Sequence, residues 1–162
     1  MMRLIRFIFS LILPYVLATA TGFGQGTPVS ATGHITAEVI PVISAGETSQ
    51  MNFGKFSPGP QGGEIHLTPG MHNAASFYVS GDTDASYSIT LPNSQIILTH
   101  SSSSKTMTIE NWMSTPGPGT GAGILQDGYQ VVYVGATLKV GTLSDNPVGV
   151  YAGTYTITFD FN

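Results

Sequence analysis

The period of its apolar residues most constrains this chain: after the first twenty positions that period is two and almost nowhere 3.6. No stretch of a dozen residues keeps apolar side chains at i, i+3 and i+4 without a glycine, proline or β-branched interruption, so helices are not expected. Alternation is clearest over residues 150–162. There Tyr151, Gly153, Tyr155, Ile157, Phe159 and Phe161 fall on one face, and Ala152, Thr154, Thr156, Thr158 and Asp160 on the other. A strand points successive side chains to opposite faces, so the aromatic face is expected in a core.

Upstream, Ile35, Ala37, Val39 and Ile43 share a face and predict a first strand, with Pro41 marking an edge or bulge. Residues 51–56 and the stretch from Ile65 to Leu67 read as two short strands around the turn-rich residues 57–63. Residues 75–80 and 86–91 flank 81–84, a polar turn of hairpin length. Residues 95–99 and 106–112 form a further pair around serines 101–104, and residues 129–140 are one long strand. Residues 115–123 hold so many Gly and Pro that a surface loop is expected there. Short strands at regular spacing without crossover helices predict an all-β, immunoglobulin-like antiparallel β-sandwich of about seven to nine strands.

The first twenty residues differ from the rest. Arg3 and Arg6 precede an apolar run from Phe7 to Leu17, and Ala18-Thr19-Ala20 supplies small residues for signal cleavage, with a second choice as late as Gly24. The run is short for a membrane span, which takes roughly 20 apolar residues, and Pro14 breaks it. The expected organisation is a signal peptide at 1–20, a short segment at 21–30 and one sandwich domain at 31–162, placed in the periplasm, at the cell surface or outside the cell. Without residues 1–20 the chain carries three lysines against nine acidic residues, a formal charge of −6. Lys55, Lys105 and Lys139 stand far apart, so neither nucleic acid nor an anionic membrane surface is an expected partner. The chain has no cysteine, and stability must come from burial rather than cross-links.

Chemistry-bearing motifs are sparse. Histidines 34, 66, 72 and 100 show no metal-motif spacing, and Asp82 and Asp84 supply too few oxygens for a calcium loop. No Gly-x-Ser-x-Gly elbow occurs, glutamates 38, 47, 64 and 110 are scattered, and the glycines at 117–123 lack a phosphate loop's Gly-Lys-Ser/Thr ending. No catalytic residue, cofactor or metal is therefore expected. Trp112, the only tryptophan, is either a core residue or a stacking platform for a ligand.

In order along the chain stand Ala37-Glu38, Asn52-Phe53-Gly54, Gly62-Gly63, Leu67-Thr68-Pro69-Gly70 and the run from Ala75 to Gly81. The stretches Tyr87 to Pro92, Val134 to Val140 and Gly149 to Tyr155 continue the series. From about Ser30 to Asn162 the chain resembles the exported bacterial β-domains catalogued as domain of unknown function 4402. That resemblance implies export and a pilin-like sandwich, and brings no catalytic residue with it. The closing strand, with Phe161 next to last and Gly149 fourteen from the end, also resembles fimbrial subunits whose last strand a chaperone grips. The resulting expectation is a fimbrial or pilus-like subunit assembling through β-strand edges, with residues 31–43 and 150–161 as candidate strands. Gly149, Tyr151, Tyr155, Ile157, Phe159 and Phe161 are the candidate assembly residues. Partners are then copies of itself, other surface subunits and a periplasmic chaperone. The alternative is an autonomous adhesin or glycan- or protein-binding module that contacts its ligand through Trp112 and the neighbouring loop.

Overall fold

The computed structural model describes residues 30–39 and 42–162, so the expected signal peptide lies outside the described residues. The chain divides into Met1–Ala37 and Glu38–Asn162, and every strand among the described residues lies in the second unit. The strands are β1 (Ser44–Ser49), β2 (Gly63–Leu67), β3 (Ala75–Ser80), β4 (Ser86–Thr90) and β5 (Ile96–His100), then β6 (Thr106–Thr115), β7 (Gly119–Ile124), β8 (Tyr129–Val140), β9 (Tyr151–Ala152) and β10 (Thr158–Phe161). Among the described residues there is no helix, hence none long and apolar enough to cross a membrane.

Among the described residues the fold is an all-β sandwich of ten strands, slightly more than the expected number. A curled seven-stranded sheet runs β1-β3-β8-β6-β5-β9, with β2 also on β8, and a three-stranded sheet runs β10-β4-β7. Every pairing is antiparallel. Strand β8 is the spine: β3 takes its first half, β2 its second half on the same side, and β6 the other side. Where β2 gives way to β3, Gly135 faces the carbonyl of Leu67, and any side chain there would overlap that backbone. The corner needs a glycine for close approach.

Two apolar clusters fill the interior. The first joins Ala75, Val79, Val132 and Val134 of the large sheet to Tyr87 and Ile89 of β4, with Leu125. Half-buried Tyr155, Ile157, Phe159 and Phe161 pack on it, so the closing alternation does face one interior. The second cluster, Met107, Ile109, Ala136, Leu138 and Val140, belongs wholly to β6 and β8.

Four local expectations are corrected. Among the described residues the first strand is Ser44–Ser49, and residues 35–39 and 42–43 join none: Ile43 packs on the core, while Ile35 and Val39 are 97% and 93% exposed. The β3 edge is filled by the polar run Ser44–Ser49, in which Gly46 fits against the ring of Tyr78. Strands β3 and β4 form no hairpin, because residues 81–85 carry the chain from the large sheet to the small one. The Gly81 amide donates to Gly128, Asp84 adopts φ 60°, and the Phe161 ring leaves no room for a side chain at Gly81. Residues 119–124 are not a loop but β7, pairing with β4. Gly123 lies under the Tyr87 ring, where a Cβ would overlap the aromatic carbons, so the glycine that argued against a strand is what this strand requires. The stretch 51–56, expected as a strand, joins no ladder.

A candidate assembly groove

The second cluster contains no side chain from β4, β7 or β10: the small sheet covers only the first half of the large one. Over the uncovered half lies a groove of about 800 Å³. Ile96 and Leu98 of β5, Met107 and Ile109 of β6 and Leu138 of β8 line it. They face inward because β5 and β6 form a regular hairpin, with Ile96 opposite Ile109 and Leu98 opposite Met107. The irregular segment 50–58 and residues 147–153, which include β9, also line it, with Tyr155.

The first segment is held at one end only, whereas the second is tied along its length and pairs with β5 through β9. The Asn52 amide donates to Asn73, and the Asn52 Oδ1 accepts from the Gly54 amide, after which residues 53–58 join no ladder. On the other side, Asn146 is buried and ties its loop to the sheet. Its Oδ1 accepts from the Gly141 amide at 2.5 Å, and its Nδ2 donates to the Thr106 carbonyl at 2.7 Å. His100 then accepts from the Ser102 amide at Nδ1, which leaves Nε2 to donate to the Val148 carbonyl at 3.1 Å. Past β9, residues 153–157 lie outside every strand before β10 begins on β4.

The candidate residues of the closing strand are divided by this geometry. Gly149 sits against the His100 ring, which would overlap any Cβ there, and the ring of Tyr151 packs edge-on against His100 with centroids 4.9 Å apart. Gly149, Tyr151 and Tyr155 line the groove, whereas Phe159 and Phe161 belong to β10, and these two pack with Ile157 on the first cluster. The expected continuous strand is thus two short ones that pair in different sheets.

Trp112 is half-buried and touches both clusters. Strict alternation from Met107 and Ile109 would turn it outward, but β6 shifts register between Glu110 and Met113, and Asn111 adopts φ 55°. The bulge returns Trp112 to the interior, where its ring lies 4.8 Å from that of Tyr155. The Trp112 Nε1 and Tyr155 hydroxyl are both buried without a hydrogen-bond partner among the described residues. Burial, with Glu47 adding repulsion, pushes the Tyr155 hydroxyl up to about 12. Among the described residues no group of three or more His, Asp or Glu is placed to hold a metal. His66 instead bonds Thr137 at 2.9 Å, and Asp82 and Asp84 lie in the crossing between sheets.

Sequence reasoning located the closing strand but missed the groove, since its floor and its walls come from five separate stretches of chain. The apolar residues of 51–56 point to a strand, and nothing in them signals a groove wall that joins no ladder. No curated protein matches the chain. The profile of the family described as Domain of unknown function (DUF4402) matches residues 43–161, which spans β1 to β10 and both walls of the groove, and the chain belongs to that family.

Proposed function

We propose that this chain is an exported structural subunit of a cell-surface or pilus-like assembly, joined to its neighbours through β-strand edges. The observation that carries the reading is the half-covered sandwich: an apolar floor with one wall, residues 50–58, that joins no ladder. Addition of a strand satisfies both defects together, since ladder bonds pair the backbone while alternate side chains fill the floor. Soluble domains ordinarily protect such edges with charge or proline, and here Lys55 and Pro58 are the protection the first wall carries. Other copies or other surface subunits are the partners of this reading, and a periplasmic chaperone would hold the groove before assembly. The alternative of a ligand-binding module through Trp112 draws less support, because that half-buried ring packs at a tilt against Tyr155.

The test is expression of the full chain, cell fractionation, then sedimentation and electron microscopy of the purified protein. Protein outside the cytoplasm, in oligomers or filaments that grow with concentration, is the expected result. A monomer at every accessible concentration defeats the proposal.

A further inference from the structure

We infer that the outer face of the large sheet, where β1, β3 and the first half of β8 lie side by side, is a binding platform for a neutral polysaccharide. Which side chains face outward there follows from the ladders. Val79, Val132 and Val134 point into the first cluster, so their neighbours along β3 and β8 point away from it. The ladder pairs Ser80 with Tyr129, Tyr78 with Val131 and Ser76 with Tyr133, and each pair shares the outer face. Three tyrosines thus stand in a zigzag on one side of the sheet. Tyr129 and Tyr133 are 49% and 41% exposed and, four residues apart on one strand, lie about 13 Å from each other. Half-buried Tyr78 is placed between them on the neighbouring strand.

The patch is aromatic and hydroxylic without being charged. On β1, Gly46 lies opposite Tyr78, and the outer half of the Tyr78 ring, from Cε1 to the hydroxyl, fills the space that a side chain at Gly46 would take. The ring therefore leans across β1 instead of standing up from the sheet. Ser44 lies opposite Ser80, and the Thr48 and Ser76 hydroxyls bond each other at 2.7 Å. Glu47 pairs with Phe77 and so belongs to the other face. Among the described residues, none of those facing outward from β1, β3 and 129–133 is charged, whereas Glu64, Glu110 and Lys139 gather over the second half of β8. Each part of the patch matches a part of a sugar. The C–H groups of a pyranose ring form an apolar, weakly positive surface that meets the negative face of an aromatic ring, and Ser, Thr and Tyr hydroxyls exchange hydrogen bonds with the sugar's own. An anionic glycan would call for lysine or arginine, which this face lacks. The middle of a protein interface is more apolar, and no leucine, isoleucine or phenylalanine faces outward here. Because one pyranose covers one ring, the spread of the tyrosines asks for a chain of several sugars.

The test is electrophoresis of the purified full chain in native gels containing a soluble polysaccharide. Hydroxyethylcellulose, galactomannan, α-mannan and dextran form the neutral panel, and polygalacturonate is the anionic control. Retardation by at least one neutral polysaccharide, and none by polygalacturonate, is expected. Tyr129→Ala with Tyr133→Ala is expected to raise the dissociation constant roughly tenfold, while Phe at both positions keeps the rings and loses much less. Ile97→Ala, at an equally exposed position on β5, should leave retardation unchanged. No retardation by any member of the panel, or equal retardation of the wild type and the double alanine variant, overturns the inference. So does loss of self-association in that variant without polysaccharide binding, which makes the face an interface between copies. The inference does not rest on the assembly reading: a monomer that is retarded upholds it, and a filament that is not defeats it alone.

Discussion

Single residues carry much of the geometry. Asn146 makes two bonds that hold the groove's second wall, and Asn146→Ala strands the Gly141 amide and the Thr106 carbonyl. The expected loss is about 1–3 kcal/mol in denaturant unfolding. Gly123→Ala forces a methyl into the Tyr87 ring and is expected to cost about 1–3 kcal/mol, whereas Gly63→Ala, with open space around it, should change stability far less. Comparing the two in one denaturant series separates ring overlap from the general cost of replacing glycine. Tyr87 is fully buried, donates to Gln130 at 2.7 Å, and burial pushes its hydroxyl up to about 12, as it does that of Tyr155. A raised folded-state value means that the neutral form is favoured on folding. The stability this contributes is complete below the unfolded value of 10.0 and is lost as pH rises through about 12. Thermal unfolding should therefore soften across that alkaline interval, and less so in Tyr155→Phe; an unchanged profile would count against the burial argument.

Among elements, β10 carries the most consequence for its length. It supplies Phe159 and Phe161 to the first cluster and is one of two partners of β4. Phe159→Ala is expected to cost about 2–4 kcal/mol, somewhat under the figure for a fully buried phenylalanine because Phe159 is half-buried. Tyr151→Ala alters the groove and the His100 contact instead, so it should affect assembly more than unfolding. The loop after β8 has an electrostatic signature. Thr142 donates from Oγ1 to Asp145 at 2.7 Å and holds its carboxyl below the usual aspartate range. A lowered folded-state value gives stability that is present above the ordinary aspartate value and lost as pH falls through the lowered one. Thr142→Val should remove that part of the acid dependence, read as the difference between the two proteins' unfolding midpoints in acid and at neutral pH. Elements were also where the sequence misled: Gly and Pro at 115–123 disfavour a strand locally, yet the Tyr87 ring needs the space that only Gly123 leaves.

For the whole molecule, Lys139 shows how a sparse set of charges is used. It bridges Glu64 of β2 and Glu110 of β6 across β8, with the Glu110 contact at 3.1 Å, and ties three strands together on the outer surface. With few charges elsewhere, the remaining surface offers little electrostatic resistance to close packing of subunits. The apolar period alone determined that the chain would be all-β, where the long strand Tyr129–Val140 runs, that residues 95–99 and 106–112 would form a pair, found as β5 on β6, and that Tyr155, Ile157 and Phe159 would share an interior. These are consequences of neighbours along the chain, because alternation is set by backbone geometry within a strand. Tertiary structure decided which sheet each strand joins, which edge the polar β1 fills, and that the small sheet stops short. Those outcomes depend on rings, carbonyls and bulges meeting across long sequence distances, and a groove is the space such distant pieces leave unfilled.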